Sequence, residues 1–158
     1  MKPNLVFEQF YSDVEKNQLK PFYFFYGEED FLLNKNYIFL LNKLLNETDK
    51  EFNFHVFDSQ NFTADAFMDS YNMYPMMSPY RVIVLKDIES LSDGEFTGIA
   101  EIFKNPNPTT ITIFVSGAID KKKKIFTTLS KSSFCLEFKK PFENQISYWI
   151  KYMCKERQ

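Results

Sequence analysis

Hydrophobic positions along the chain alternate between continuous apolar runs and runs with helical spacing. Residues 21–27 (PFYFFYG) form an apolar run that Gly27 ends, as in a strand buried on both faces. Residues 31–45 follow with apolar side chains three and four positions apart, which is the spacing of an amphipathic helix (Leu33, Tyr37, Leu40, Leu41 and Leu44). The pattern therefore predicts a buried strand followed by a helix.

Four more strands are predicted further along the chain. In residues 52–59 apolar positions recur every second residue, which places Phe52, Phe54, Val56 and Asp58 on one face. The other three runs are rich in β-branched and aliphatic or aromatic residues and cover 81–88, 109–119 and 134–141. Together with residues 21–27 they give five strands.

The helix predicted between the second and third strands has signals at both ends. Thr63 suits the N-cap position, and Phe62 and Phe67 have the spacing of a hydrophobic staple. Pro75 is expected to end this helix. Its apolar stripe is predicted to be Phe67, Tyr71 and Tyr74.

Further helices are predicted at about 95–104, at 120–131 and at the end of the chain. The last one has an apolar stripe but no stop signal before residue 158, so we expect a longer natural protein (Ile146, Trp149, Ile150 and Met153). We therefore expect one domain over residues 1–141, followed at 142–158 by the start of a helical segment.

Strands that alternate with helices indicate an α/β fold. Right-handed crossovers then give three layers, a mostly parallel five-stranded sheet with helices on both faces. Such sheets bind ligands at the carboxyl ends of their strands, which here are Gly27–Asp30, Asp87 and Ser116.

Composition narrows the class of protein. The chain has 158 residues, of which 44% are hydrophobic and 25% charged, as in a globular domain. A net charge of −2 argues against nucleic-acid binding through bulk charge. No apolar run approaches the roughly 20 residues of a membrane span, and the acidic residues near the N-terminus are unlike a secretory signal. With one histidine and two cysteines outside any CxxC pair, no zinc site is expected. The interpretation is a reduced, cytoplasmic protein.

The first strand–turn–helix unit lacks the groups of a phosphate-binding loop. Counted from Gly27, the second glycine, the lysine and the hydroxyl of a P-loop are replaced by Leu32, Leu33 and Asn34. The three acidic residues 28–30 favour the helix N-terminus but repel phosphate. We therefore expect no nucleotide cofactor in this turn.

No catalytic constellation can be assembled from the sequence. Asp87 lies where a Walker-B aspartate would bind magnesium, but a solvated or capping aspartate is favoured without a P-loop. His55, in a predicted strand, has no nucleophile to serve. The chain is therefore expected to be non-catalytic, with no metal. Two alternatives stay open, a divergent P-loop ATPase or kinase, and a receiver-like or flavodoxin-like interaction domain in which Asp58 or Asp87 would be the acidic centre.

A methionine pair precedes the third strand, in residues 73–85 (MYPMMSPYRVIVL). Met76 and Met77 lie between Pro75 and Pro79, where a connecting loop is expected, and loops lie on the surface. The pair either folds into a local core or is displayed to a partner. Position alone favours the local core, because methionine is a common filler of irregular gaps.

Four segments, in order, resemble the N-terminal domain of the delta subunit of bacterial DNA polymerase III, namely 19–35, 52–91, 105–131 and 134–151. The resemblance implies a RecA-like AAA+ core that has lost ATP binding, in agreement with the missing P-loop. It also implies a role in DNA replication as a clamp-loader subunit that opens the sliding clamp, the beta subunit, through an exposed hydrophobic pair after a helix. Where relatives have Pro-Leu-Phe before Ser, this chain has Pro75, Met76, Met77 and Ser78.

The resemblance implies the site and the partners. The residues implied for clamp binding are Met76, Met77, Pro75, Tyr74 and Tyr71, with the tyrosines mainly supporting the helix. The gamma/tau and delta-prime subunits are implied as partners through regions outside this chain, and ATP would act in those neighbours. DNA contact is expected to be indirect at most, because the lysine run 121–124 favours a solvated face in an acidic chain. No membrane contact is expected.

Overall fold

The computed structural model describes residues 5–139, which fold around one five-stranded sheet. Its strands are β1 (Phe22–Gly27), β2 (Phe54–Phe57), β3 (Arg81–Leu85), β4 (Thr110–Ser116) and β5 (Phe134–Phe138). Its helices are α1 (Leu5–Glu15), α2 (Asp30–Leu44), α3 (Glu47–Asn53), α4 (Ala64–Asn72), α5 (Asp93–Ile99) and α6 (Lys124–Ser132). Short 3₁₀ helices follow β3 and α5, at Ile88–Ser90 and Ala100–Phe103.

The sheet is parallel throughout, in the strand order β2-β3-β4-β1-β5. The expectation of a mostly parallel sheet is therefore confirmed. In register, Phe24 of β1 lies beside Phe114 of β4 and Cys135 of β5. Since every strand runs the same way, the sheet has one edge where strands begin and one where they end, and each edge gathers loops from several crossovers.

Helices cover both faces of the sheet, as the alternating pattern predicts. Alternate residues of β1 point to opposite faces. Tyr23 and Phe25 pack against α1 and α2, in a core that includes Phe10 and Leu40. Phe22 and Phe24 pack against α4, α5 and α6 on the other face. The two cores make the predicted three-layer arrangement and hold the sheet rigid between them.

The second strand is shorter than predicted, and its fully buried residue lies on the face opposite the alternating apolar positions. Phe52 belongs to α3, and the strand begins only at Phe54. Phe57 is the fully buried residue, whereas Phe54 and Val56 are partly buried on the opposite face. The reason is that β2 is an edge strand between two helical layers, so both of its faces carry apolar residues. Helices α1 and α3 were not predicted.

The start of α4 is confirmed, but its end is not. The Thr63 side chain accepts a hydrogen bond from the Ala66 amide (3.2 Å), and the rings of Phe62 and Phe67 lie 5.9 Å apart. The helix ends at Asn72, and Met73 is already extended. The residue before a proline avoids helical backbone angles, so Tyr74 cannot continue the helix. Tyr74 is therefore not part of the apolar stripe.

The predicted last helix lies outside the described residues, as does the boundary at 141. The two-part division of the chain stays a prediction. Within residues 5–139 no helix is long and apolar enough to cross a membrane.

Candidate functional site

The loop between α4 and β3 presents large apolar side chains to solvent. Met77 is 99% exposed, Tyr74 84% and Met76 57%. The alternative in which the methionines fill a local core is therefore wrong. Phe52, at the end of α3, is a further exposed apolar residue beside the loop's anchor at Asn53. Exposed apolar residues gathered in this way are typical of an interaction surface.

A buried side chain holds the backbone of this loop. Asn53 is fully buried, and its Oδ1 accepts a hydrogen bond from the Met76 amide at 2.6 Å. Its Nδ2 donates to the Met76 carbonyl oxygen at 2.8 Å. The next residue, Met77, has a φ of 54°, in the left-handed region that residues other than glycine seldom adopt. Because the backbone is held from below, the two methionine side chains are left facing outward.

Arg81 joins three elements beneath the loop. Its Nη1 donates to the Phe52 carbonyl oxygen (2.9 Å), and its Nη2 donates to Ser70 Oγ (3.0 Å). Its amide donates to the carbonyl oxygen of Thr109 at the start of β4 (2.8 Å). Burial lowers the pKa of the guanidinium, which is still charged at neutral pH. Through Arg81, its first residue, β3 is therefore connected to both α3 and α4.

Tyr71, implied as a clamp-binding residue, is buried and cannot offer a contact surface. It is 2% exposed, and its hydroxyl oxygen accepts a hydrogen bond from the Asn107 amide (2.8 Å). Its carbonyl oxygen accepts from Asn107 Nδ2 (3.2 Å) and from Thr110 Oγ1 (3.0 Å). Burial also raises the pKa of the phenol. Tyr71 supports the end of α4, as expected of the tyrosines, and is removed from the contact set.

The methionine loop lies at the amino-terminal edge of the sheet. The loop leads into β3, Asn53 immediately precedes β2, and Asn107 lies just before β4. The positions predicted for small ligands, Gly27–Asp30, Asp87 and Ser116, lie at the other edge, where strands end. The apolar surface is therefore separated by the length of the strands from the place where α/β folds bind nucleotides.

The β1–α2 turn is closed by the end of β5. Gly27 has a φ of 136°, and a Cβ placed on it would lie 2.1 Å from the Phe138 carbonyl oxygen. The Glu29 amide donates to that same oxygen (3.2 Å). In a phosphate-binding loop such an amide would point at the ligand. Here it is already satisfied within the protein.

Glu89 occupies the space beyond the end of β4. Ser116 Oγ donates to Glu89 Oε2 (2.7 Å), and the Gly117 amide donates to Oε1 (3.2 Å). Lys123 Nζ donates to the Glu89 carbonyl oxygen and to that of Leu91 (3.3 Å). Ser116, predicted as a ligand position, is therefore engaged internally.

The lysine run is not a uniform basic surface. Lys123 is half-buried and makes the internal bonds just described, whereas Lys121, Lys122 and Lys124 are exposed. The helix α6 begins only at Lys124, so most of the run lies in the preceding turn. Contact between these lysines and DNA stays a prediction.

The remaining candidates form no reactive group of side chains. His55 lies exposed on β2 and stacks on Phe57, with ring centroids 4.3 Å apart. Desolvation, and then the charge of Arg81, lower the His55 pKa. Asp87 is exposed with a φ of 53°. No group of three His, Cys, Asp or Glu residues suited to a metal is found in residues 5–139.

Sequence reasoning missed the residues that position the loop. Asn53 is 23 positions from Met76 in the chain, and Arg81 is 29 positions from Phe52. Such pairs carry no periodic signal, because their side chains meet only after the sheet has formed. Because α3 was not predicted from the sequence, Asn53 carried no local signal either.

Comparison with known proteins indicates a family and a fold for this chain. Residues 23–139 match the family model described as DNA polymerase III, delta subunit. DNA polymerase III subunit delta of Bacillus subtilis (strain 168) is 23% identical, over 82% of this chain and 40% of its own length. This chain therefore spans less than half of that relative.

Two solved structures share the fold. The Bacillus subtilis DNA clamp loader delta protein superimposes with a TM-score of 0.83 at 21% identity, covering 98% of this chain and 48% of its own. A DNA polymerase III gamma subunit-related protein from Thermotoga maritima gives 0.64 at 14% identity, covering 87% and 47%. The first likeness supports the predicted RecA-like fold. Because the family model matches residues 23–139, which are most of this chain, the chain belongs to the DNA polymerase III delta subunit family.

Proposed function

We propose that this chain is the part of a clamp-loader delta subunit that binds and opens the DNA polymerase III sliding clamp. The α4–β3 loop, with Met76 and Met77, is the clamp-binding element. The observation that carries the proposal is the almost complete exposure of Met77 on a loop whose backbone is hydrogen-bonded to buried Asn53. Membership of the delta subunit family supports the same role.

The chemistry of the loop suits an apolar pocket on a protein partner. Each methionine that becomes fully buried contributes roughly 1.5–3 kcal/mol before the cost of association. The unbranched, polarisable methionine side chain adapts to a pocket whose shape changes as a ring opens. Tyr74 is exposed in the same loop and supplies the aromatic contact that the methionine pair lacks.

Membership of this family supports a role as a clamp-loader component, and the individual partners are part of the proposal. The gamma/tau and delta-prime subunits would be bound through regions outside this chain, and ATP would act in those neighbours. Contact of Lys121–Lys124 with DNA would add an electrostatic contribution to the free energy of DNA binding. Replacing the exposed Lys121, Lys122 and Lys124, and retaining the internally bonded Lys123, should then reduce the salt dependence of DNA binding.

Calorimetric titration against the cognate sliding clamp tests the binding site. We expect the wild-type chain to bind and the Met76→Ser/Met77→Ser variant to lose at least about tenfold in affinity, since buried apolar surface is removed. A matched control is Phe31→Ser/Ile38→Ser, which removes two exposed apolar side chains from α2 instead. All three proteins should melt as single transitions before they are compared.

Two outcomes of the titration contradict the proposal in different ways. Equal affinity of the wild-type chain and the methionine variant would place the clamp contact elsewhere on the molecule. Failure of the wild-type chain to bind would remove clamp binding altogether.

Ring opening needs a separate measurement. Clamp loaded on nicked circular DNA leaves only when its ring opens, so its release rate reports opening directly. We expect the wild-type chain to accelerate release and the methionine variant to leave it at the spontaneous rate. Tight binding without faster release would retain the contact but contradict the opening role.

A further inference from the structure

We propose that Asn53 is a positioning residue, which fixes the backbone of Met76 before the clamp arrives. This inference rests on the proposed function, because it assigns the preparation of the same surface to a residue of α3. The loop would then bind in a preformed shape and would not have to become ordered during docking.

The side chain of Asn53 makes hydrogen bonds with both backbone polar groups of Met76. Its carboxamide has an acceptor oxygen and a donor nitrogen, and each makes a hydrogen bond to Met76, the oxygen with the amide (2.6 Å) and the nitrogen with the carbonyl oxygen (2.8 Å). Asn53 is fully buried, so no water competes for either group. A neighbouring β-strand would satisfy Met76 in the same way.

Little else holds the centre of the loop. Within the described part of the chain, residues 74–80 make no hydrogen bonds other than these two. Ser78 Oγ is buried without a partner, and Met77 has a backbone conformation seldom adopted by residues with a side chain. A conformation of that kind persists only where surrounding structure fixes it. The Asn53–Met76 pair supplies that restraint immediately before Met77.

Helix α3 gives Asn53 a fixed base. The helix is capped at its start by Asn46, whose Oδ1 accepts from the Asp49 amide at 2.8 Å. At its end, Arg81 donates to the Phe52 carbonyl oxygen at 2.9 Å. Asn53 is therefore held from both sides in the chain. A loop ordered in advance loses less conformational entropy on binding, which strengthens the complex.

Two substitutions separate hydrogen bonding from packing. Asn53→Ala removes both bonds to Met76. Asn53→Asp keeps the shape of the side chain and an acceptor for the Met76 amide, but it turns a second oxygen toward the Met76 carbonyl oxygen. The control is Asn46→Ala, which removes the N-cap of the same helix and leaves the loop contacts unchanged.

Amide hydrogen exchange at Met76 and calorimetry with the clamp are measured for all four proteins. Exchange without clamp should be at least roughly tenfold faster in both Asn53 variants, because a protecting bond is lost or strained. Clamp affinity should fall by roughly tenfold in the same two variants. The reason is that Met76 and Met77 would then have to become ordered on binding, which has an entropy cost. Asn46→Ala should retain wild-type exchange at Met76 and wild-type affinity.

Each other outcome overturns the inference, and the outcomes differ from a failure of the proposed function. If the wild-type chain binds but both Asn53 variants bind equally well, Asn53 does not prepare the surface although the clamp site stands. If Asn53→Asp retains affinity while Asn53→Ala loses it, the donor bond to the Met76 carbonyl oxygen is not needed, and the restraint through two bonds is contradicted. If Asn46→Ala loses as much, the effect is general loss of α3. A wild-type chain that does not bind removes the clamp site and the positioning role together.

Discussion

Single buried polar side chains decide where the methionine loop lies. Asn53 and Arg81 are both nearly inaccessible to solvent, and both make side-chain hydrogen bonds to other elements. Because a buried polar group without a partner is costly, their hydrogen bonds are strongly favoured once the chain has folded. The position of an exposed surface therefore depends on residues that no partner touches.

The fork geometry of Arg81 predicts that lysine cannot replace it. Lysine has a single ammonium group, which cannot reach Phe52 O and Ser70 Oγ in the same way as two guanidinium nitrogens. Arg81→Lys should lower the free energy of unfolding by about 1–3 kcal/mol, measured by urea denaturation. Lys104→Arg, at an exposed pair with Glu101, is the control and should leave stability unchanged. Wild-type stability of Arg81→Lys would show that the second bond is not needed.

The lowered pKa of His55 predicts a pH dependence of stability. With a folded pKa below that of the unfolded chain, the unfolded state binds the proton first as pH falls through about 6.5. Wild-type stability should therefore fall between neutral pH and about pH 5 by a small amount, because the ring is exposed. His55→Gln should fall less over the same window in urea denaturation at several pH values. Parallel curves for the two proteins would contradict this assignment.

At the scale of elements, the pairing of β1 with β5 closes the turn that a nucleotide would need. The two strands run in register up to Gly27 and Phe138, and the Phe138 carbonyl oxygen then accepts the Glu29 amide. The same approach leaves no room for a side chain at position 27. Closure of this turn is therefore a property of two strands that are distant in sequence.

Gly27→Ala should be strongly destabilising. The new Cβ would lie 2.1 Å from a backbone oxygen, and the φ of 136° is unfavourable for alanine. We expect a loss of about 3 kcal/mol or more in the free energy of unfolding, from strain and displacement of β5. Gly94→Ala is the matched control, since its Cβ would lie 3.9 Å from Ser92 Oγ, an ordinary van der Waals contact, and alanine favours a helix by up to about 1 kcal/mol. Equal effects of the two substitutions would contradict the close approach.

At the scale of the whole molecule, the two edges of the sheet have different characters. Groups at the carboxyl edge are satisfied internally, through the Glu29 amide and through the Glu89 carboxylate. The amino edge instead presents Met76, Met77 and Tyr74 to solvent. In the proposed function, the RecA-like sheet would support a protein-binding loop at the edge opposite the usual nucleotide position.

This arrangement predicts that the chain does not bind ATP with magnesium. Titration with a fluorescent ATP analogue at millimolar magnesium should give no saturable signal, with an active P-loop ATPase as the positive control. Asp87→Ala should give the same flat titration as the wild-type chain, because the phosphate-binding groups of a P-loop are missing from this fold. Saturable binding that Asp87→Ala abolishes would restore the alternative of a divergent P-loop protein.

Sequence patterns by themselves determined the layers of this protein. Continuous apolar runs and helical spacing are local consequences of burial, so the five strands, α2 and the Thr63 cap were predicted from them. The missing P-loop groups were equally visible in the residues between Gly27 and Asn34. In residues 52–59, by contrast, apolar positions reflected two buried faces, and the pattern gave a strand that was too long.

Tertiary structure alone decided that the methionine pair is exposed at the surface. Met76 and Met77 are exposed on a loop whose backbone is hydrogen-bonded to Asn53, and Asn53 approaches that loop only because α3 and the loop meet at the amino edge of the sheet. The buried Tyr71 hydroxyl likewise accepts a hydrogen bond from Asn107, 36 positions away. Contacts over such distances leave no period in the sequence, and they form only when the parallel strands are aligned.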